Sequence, residues 1–228
     1  MAQLGLSPVS PLAVVAIAEP DVALTDFGLA LLAAILAVAL LRGGGGSAVL
    51  RRRFVAFFAA VAVASLAGGL DHGFFRQPPG AAHDVLWATA LIAIGASALA
   101  LTGAAAEIGF SGRATCAVSA VAALAFAAYA LAVLLGARQY LYALLAYLPA
   151  TALMLGVLGV AWRRERDPRL AAAIAGLLLT FVAAAIQRAE IALHPRWFNH
   201  NALYHVVQAL ALGLFFVGAR WVINRVSG

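Results

Sequence analysis

Residues 25–53 read TDFGLALLAAILAVALLRGGGGSAVLRRR, an apolar run that stops at a glycine-rich break flanked by arginines. A helix needs about 20 mostly apolar residues to cross a bilayer. Runs of this kind recur along the chain, each bounded by a short polar break, so the sequence predicts an all-α fold, a polytopic seven-transmembrane helix bundle. The predicted spans are Thr25–Leu41, Arg53–Leu70, Val85–Ala106, Ala114–Leu135, Tyr140–Trp162, Leu170–Ala192 and Asn201–Val222.

The composition agrees with a membrane location. Of the 228 residues, 65% are hydrophobic and 11% are charged, whereas a soluble domain carries about 25% charged residues. The net charge is +6, and every one of the basic residues is an arginine. The lack of lysine excludes the Schiff base of a retinal protein. Arginines beside apolar runs argue against a nucleic-acid partner. Cys116 is the single cysteine, which excludes a disulfide framework, and we expect it to be a small buried hydrophobe.

The arginines also predict the orientation of the bundle. Eleven of the fifteen arginines fall in breaks or span ends on one side, and four fall on the other. Because positive residues accumulate in the cytoplasm, the N-terminus is expected outside and the C-terminus inside, in a bacterial inner (plasma) membrane. Residues 1–24 are interpreted as an ordered or interfacial leader, with a cleaved signal peptide as the alternative. Residues 25–222 form the bundle and 223–228 a tail.

Small residues in two spans predict close helix crossings. The segments AGG (67–69) and GVLGV (156–160) contain glycines, and glycine lets helix backbones approach closely in lipid. Alanine and glycine dominate all the spans, so a compositional bias without packing significance is the alternative for both segments.

Polar residues collect at the predicted outer ends of the spans. All five histidines lie there with six of the nine acidic residues. A polar side chain within a span usually faces the bundle interior and marks function, and histidine is both a metal ligand and a proton carrier. The residues concerned are His72, His83, His194, His200, His205, Glu19, Asp21, Asp26, Asp71, Asp84 and Glu190.

Helical spacing arranges several polar residues in stripes, because residues three, four or seven apart share a face. Spans two, six and seven carry such stripes, and Asp84 lies at the start of span three. Four helices therefore direct polar groups to the same outer half of the bundle. The alternatives are that His83 and His194 are solvated, and that Asp84 and Asn201 cap helices. The stripes consist of Ser65 and His72, of Thr180, Gln187, Glu190 and His194, and of Asn201, His205 and Gln208.

At SLAGGLDHGF (65–74), at Asp84 and at NALYHVVQ (201–208), the chain resembles the alkaline ceramidase-like superfamily, which includes the progestin/adipoQ-type receptors. The resemblance implies a seven-span intramembrane hydrolase of lipid amides in which three histidines hold zinc. It implies His72 and His205 as zinc ligands, Asp84 as the partner of the water that zinc activates, and Ser65 as a nearby hydroxyl.

The chain departs from the superfamily pattern at two positions. Asn201, with His200 beside it, stands where the first histidine of span seven is expected, and Gly68 stands where a serine is expected. Zinc prefers histidine, cysteine or carboxylate ligands over an amide. His200 supplies the third zinc ligand if the chain turns inward before span seven. Otherwise Asp71 or Glu190 is the expected third ligand.

Two functions therefore remain open from the sequence. The first is a zinc-dependent hydrolase of a lipid amide or ester, with a membrane lipid as its substrate. The second is a non-catalytic lipid-binding, receptor-like or pH-responsive protein whose histidine-rich polar pocket binds a lipid ligand. The sequence carries no signal for an oligomeric state. Beside the proposed catalytic and metal residues, the expected pocket contains Asn201, Gln208, Gln187, Glu190 and Asp71.

Overall fold

The computed structural model describes residues 17–225, and its regular elements are helices apart from one isolated backbone bridge between His194 and Phe198. Most of the predicted leader (residues 1–16) and the end of the predicted tail (residues 226–228) lie outside the described residues. The helices are α1 Pro20–Leu41, α2 Ala48–Leu70, a π-turn Asp71–Phe75, α3 Ala81–Gly109, α4 Arg113–Leu134, α5 Tyr140–Glu165, α6 Pro168–Arg188 and α7 His200–Arg225.

All seven α-helices in the described part of the chain are long and apolar enough to cross a membrane, which confirms the prediction of an all-α chain with seven long apolar helices. Large apolar side chains are exposed along the outer surface of the bundle, as expected of a surface that faces lipid. α4 lies at the periphery, where Val133 is its buried residue. Cys116 on α4 is exposed, so the expectation that it is buried was wrong.

The helices pack around an aromatic and aliphatic core. α2 packs against α1 and α3, α6 packs against α7, α5 packs against α3, and α1 contacts α7. Phe215 of α7 lies edge-on to Phe54 and Phe57 of α2, with ring centroids 5.8 and 5.4 Å apart. Edge-to-face contacts of this kind add to the stabilisation from burial alone. This core fixes α2 and α7 relative to each other.

Of the two glycine segments that predict close helix crossings, one lies at such a crossing and the other does not. A Cβ on Gly69 of α2 would lie 2.8 Å from the ring of Phe27 on α1, so the AGG segment does mark a close crossing. Gly156 and Gly159 of α5 have nothing within 4 Å of a Cβ, so the same prediction for GVLGV was wrong. A close contact between α6 and α7 includes Gly176, whose Cβ would lie 2.6 Å from a carbonyl oxygen of α7.

The ends of the helices differ from their predicted positions, most of all at the starts of α1 and α2, which begin at Pro20 and Ala48 rather than at Thr25 and Arg53. α6 ends at Arg188, because Glu190 adopts a left-handed conformation with φ of 53°. The amide of Ile191 then bonds back to the carbonyl of Ile186, which closes the helix end. α3 begins at Ala81 rather than Val85. α7 begins at His200, and the side chain of Asn199 accepts hydrogen bonds from the amides of Asn201 and Ala202.

Alternate helix directions bring the polar segments to one end of the bundle. α1, α3, α5 and α7 begin at this end, whereas α2, α4 and α6 finish there. The π-turn and the start of α7 lie at the same end, which we call the histidine end.

Candidate functional site

The histidine end encloses a cavity of about 330 Å³ to which every helix except α4 contributes. Apolar side chains such as Leu29, Val61 and Leu148 form much of its wall. Polar residues from α1, α2, the π-turn, α6 and α7 line the same space and form what we call the polar wall: Asp26, Ser65, His72, Thr180, Gln187, His200, Asn201, His205 and Gln208. A mostly apolar cavity with a few polar groups is the usual form of a small-molecule site.

The centre of the polar wall is a contact between α1 and α7. The Nε2 atom of His205 lies 3.2 Å from Oδ1 of Asp26, and Nδ1 of the same ring lies 3.2 Å from the hydroxyl of Thr25. Asp26 is 3% exposed and His205 is 9% exposed. Both ring nitrogens of His205 therefore have a partner on α1, and the imidazole is held between two helices.

His72 enters the cavity wall from the π-turn. Its Nδ1 lies 2.6 Å from Oε2 of Glu19, the residue before α1. Because a carboxylate only accepts hydrogen bonds, Nδ1 carries the hydrogen and Nε2 is left for the cavity. The hydrogen bond from His72, together with the charges of His72, Arg76 and His200, lowers the pKa of Glu19 below its usual value, although partial burial acts in the opposite direction.

A second polar cluster lies behind the π-turn. Asp71 is fully buried, and its Oδ1 accepts a hydrogen bond of 2.6 Å from Nδ1 of His83 on α3. Its Oδ2 lies 3.4 Å from the guanidinium of Arg76. Asp71 therefore ties the π-turn to the start of α3 and supports the segment that carries His72.

Two acceptor atoms in the cavity wall have no hydrogen-bond partner among the residues that the structure describes. These are Oδ2 of Asp26 and Oε1 of Gln208, which is 6% exposed. The amide nitrogen of Gln208 lies 3.5 Å from the hydroxyl of Thr180 on α6. A Cβ on Gly68 would lie 3.0 Å from Oδ2 of Asp26, so this glycine leaves the space beside the free oxygen open.

The comparisons with known proteins assign the chain to a family. The model of DUF6962, described as a family of unknown function, matches residues 22–223. The chain belongs to the DUF6962 family. The matched range contains every residue that lines the cavity. No curated protein and no solved structure matches the chain. The resemblance to the alkaline ceramidase-like superfamily therefore stays a prediction.

In this DUF6962 chain, most of the sequence-predicted site residues line one cavity. They come from α2, the π-turn, α6 and α7, as the helical stripes predict. The residues that line it are Ser65, His72, Gln187, His200, Asn201, His205 and Gln208.

Three predicted site residues lie elsewhere. Asp84 is in the first turn of α3, and its carboxylate pairs with Arg138 at 2.9 Å, on the outside of the bundle. Glu190 is exposed, because α6 ends before it. Asp71 faces His83 and Arg76 rather than the cavity. The structure therefore does not bring the expected proton acceptor, Asp84, to the polar wall.

Sequence reasoning gave no role to Thr25, Asp26 or Glu19, which the structure places beside the two histidines. Glu19 and Asp26 were noted only as acidic residues of the outer side. The signal for Asp26 was present, because a carboxylate inside an apolar run is costly and normally functional. Span one has no second polar residue at helical spacing to form a stripe with Asp26, so the stripe criterion missed it.

The polar side chains of the cavity can be compared with the ligands of a zinc site. Two imidazoles and one carboxylate, from His72, His205 and Asp26, match the ligand types of catalytic zinc. The bond from His72 to Glu19 is the arrangement that commonly orients a metal-binding imidazole. Within residues 17–225, however, no group of three histidine, cysteine or acidic side chains is close enough to hold a metal as the structure stands. The ligand types fit zinc, and His205 would have to leave one of its α1 partners to bind it.

Proposed function

We propose that this chain is an intramembrane hydrolase that cleaves a lipid amide or ester, with zinc as its metal. The observation that carries the proposal is the combination, in one cavity wall, of two imidazoles, a buried carboxylate and a hydroxyl with an apolar space for an acyl chain. These are the residue types that metal-assisted hydrolysis uses.

Each polar residue has a role that follows from its position. His72 and His205 would hold the metal with Asp26, and a bound zinc ion would supply Lewis acidity to polarise the carbonyl and activate water. Asp26, through its free Oδ2, accepts a proton, which is the role that the resemblance gave to Asp84. Ser65 donates a hydrogen bond to the carbonyl oxygen of the substrate. Glu19 fixes the ring of His72, and the apolar wall excludes bulk water.

The arginine distribution supports an orientation for this site. Eleven arginines lie at the end of the bundle opposite the histidine end. By the positive-inside rule that end faces the cytoplasm, and the histidine end faces the outer side of a bacterial plasma membrane. A lipid substrate would then be taken from the outer leaflet.

A second candidate is a non-catalytic lipid-binding or receptor-like protein that uses the same cavity. It is favoured by His205, because both of its ring nitrogens already have partners on α1. Asn201 favours it too, since an amide stands in the cavity wall where the resemblance expects a third histidine.

Metal analysis and a hydrolysis assay decide between the two functions. The protein is purified in mild detergent without chelators, and zinc is measured beside His205→Ala and beside Asp84→Asn as the matched control outside the cavity. The hydrolase proposal expects about one zinc per chain in wild type and in Asp84→Asn, and much less in His205→Ala. It also expects cleavage of fluorogenic acyl amides or esters in nanodiscs. Wild type without zinc and without cleavage would leave lipid binding as the function.

A further inference from the structure

The inner part of the cavity contains hydrogen-bond acceptors that the protein itself does not satisfy. Oδ2 of Asp26 and Oε1 of Gln208 are buried, and neither has a partner within the described residues. From the rise of a helix, they lie roughly 9 and 12 Å below the starts of α1 and α7. Leaving a buried acceptor unpaired destabilises the folded state, so two such acceptors in one wall point to a ligand.

Three neighbouring hydroxyl groups already donate their hydrogens to carbonyls of their own helices. A hydroxyl has one hydrogen to donate. The hydroxyl of Thr25 bonds to carbonyls of its own helix at 2.9 and 3.0 Å. Those of Ser97 and Thr180 do the same at 2.7 and 3.2 Å. Neither acceptor has a hydrogen-bond partner among the described residues, so a molecule in the cavity can supply the missing hydrogens.

We propose that this inner region recognises the hydrogen-bond-donating head group, hydroxyl or ammonium, of an amphiphile. Oδ2 of Asp26 and Oε1 of Gln208 accept hydrogen bonds from that head group. The apolar side chains of Leu29, Val61 and Leu148 contact its hydrocarbon chain. A carboxylate or phosphate head group would place oxygen acceptors against oxygen acceptors, and the region therefore selects against anionic amphiphiles.

The preference for hydrogen-bond donors indicates which half of the cleaved lipid binds in the inner region. This inference rests on the proposed function. Hydrolysis adds water across the acyl bond. The acyl carbon gains the hydroxyl and becomes a carboxylic acid, and the leaving oxygen or nitrogen gains the hydrogen and becomes an alcohol or amine. The alcohol or amine half is the one that donates hydrogen bonds. That half binds at Asp26 and Gln208, and the fatty acid is the half that the inner region does not retain.

Binding is tested with four probes of equal chain length, so that only the head group differs. Wild-type protein in nanodiscs of fixed lipid composition receives 1-dodecanol, dodecylamine, dodecanoate or dodecyl phosphate at equal mole fraction. Thermal unfolding is measured for wild type, Asp26→Asn, Gln208→Leu and the control Asp84→Asn. Comparing the variants in the same nanodiscs removes effects of the probes on the membrane itself.

The proposal expects the alcohol and the amine, but not the two anions, to raise the unfolding temperature of wild type and of Asp84→Asn. Gln208→Leu is expected to bind both donor probes roughly tenfold more weakly, and Asp26→Asn to lose mainly the amine. Equal shifts with all four probes in wild type would overturn the proposal. So would donor binding that is unchanged in Gln208→Leu, since water alone would then satisfy the acceptors. None of the probes can be hydrolysed, so failure here is separate from failure of the hydrolase proposal.

Discussion

Asp26 of α1 and His205 of α7 face each other in the polar wall of the cavity, with Oδ1 and Nε2 3.2 Å apart. The two residues are distant in sequence, and both lie on helices that are mostly apolar. Buried charged and polar groups are stable only when they are paired or hydrogen-bonded. This contact therefore joins the first helix to the last at the point where the proposed chemistry takes place, and it leaves the second carboxylate oxygen of Asp26 free.

Asp26→Asn is expected to abolish most hydrolysis, whereas Asp84→Asn retains it. Asparagine keeps the size of the side chain but removes both the proton acceptor and the proposed carboxylate ligand of the metal, and loss of a general base alone lowers the rate by about 10²–10⁴-fold. Asp84 pairs with Arg138 outside the cavity, so its carboxylate contributes nothing to the reaction. kcat/KM for an acyl amide or ester probe in nanodiscs measures both variants, with circular dichroism as the folding control. A larger loss in Asp84→Asn would restore the role implied by the superfamily resemblance.

Asp71→Ala is expected to destabilise the protein much more than Asp84→Ala. Asp71 is fully buried and pairs with His83 and Arg76, so its removal leaves the partly buried imidazole of His83 without its acceptor. We expect a loss of about 2–3 kcal/mol in the free energy of unfolding. The exposed pair of Asp84 with Arg138 contributes about 0–1 kcal/mol. Reversible unfolding in mixed micelles measures both variants, and equal losses would mean that burial of Asp71 has no energetic consequence.

The sequence predicted the number and approximate positions of the helices because apolar length alone identifies a span. It also predicted that His72 and His205 belong to a polar wall, since both lie on stripes with regular helical spacing. The predicted helix ends were less accurate. The left-handed conformation of Glu190, which ends α6, is rare for a residue other than glycine, and composition gives no sign of it.

The partners of the polar residues were not predictable from helical spacing. Asp84 was given a role through the resemblance, but its position in the first turn of α3 directs it toward Arg138. Asp26 was given no role, because its partner lies 179 positions later in the chain on a helix whose rotation the sequence does not specify. Stripes identify which face of a helix is polar, whereas the packing of α1 against α7 decides which residues meet.

Gly176→Ala is expected to destabilise the bundle, and Gly213→Ala serves as the matched control on the partner helix. A Cβ at Gly176 would lie 2.6 Å from the carbonyl oxygen of Ala211 and 2.8 Å from the amide nitrogen of Phe215, so α6 and α7 would have to separate. Overpacking of this kind costs about 1–3 kcal/mol. A Cβ at Gly213 meets nothing within 4 Å, so alanine there is neutral or slightly stabilising. Unfolding temperatures that fall equally in both variants would contradict the close contact between α6 and α7.

Glu19→Gln is expected to remove part of the acid sensitivity of the histidine end. The hydrogen bond from His72 lowers the pKa of Glu19 below its usual value of 4.5, with further contributions from the charges of His72, Arg76 and His200. A carboxyl whose pKa is lower in the folded state stabilises that state fully above the unfolded pKa. The stabilisation is lost as the pH falls from about 4.5 through the folded pKa. Unfolding temperatures measured from pH 7 to pH 3 should therefore fall less steeply below pH 4.5 in Glu19→Gln than in wild type. Glu190→Gln, an exposed change at the same end, is the control and should follow wild type. If Glu19→Gln and wild type gave parallel curves, the contact between Glu19 and His72 would contribute nothing to the folded state.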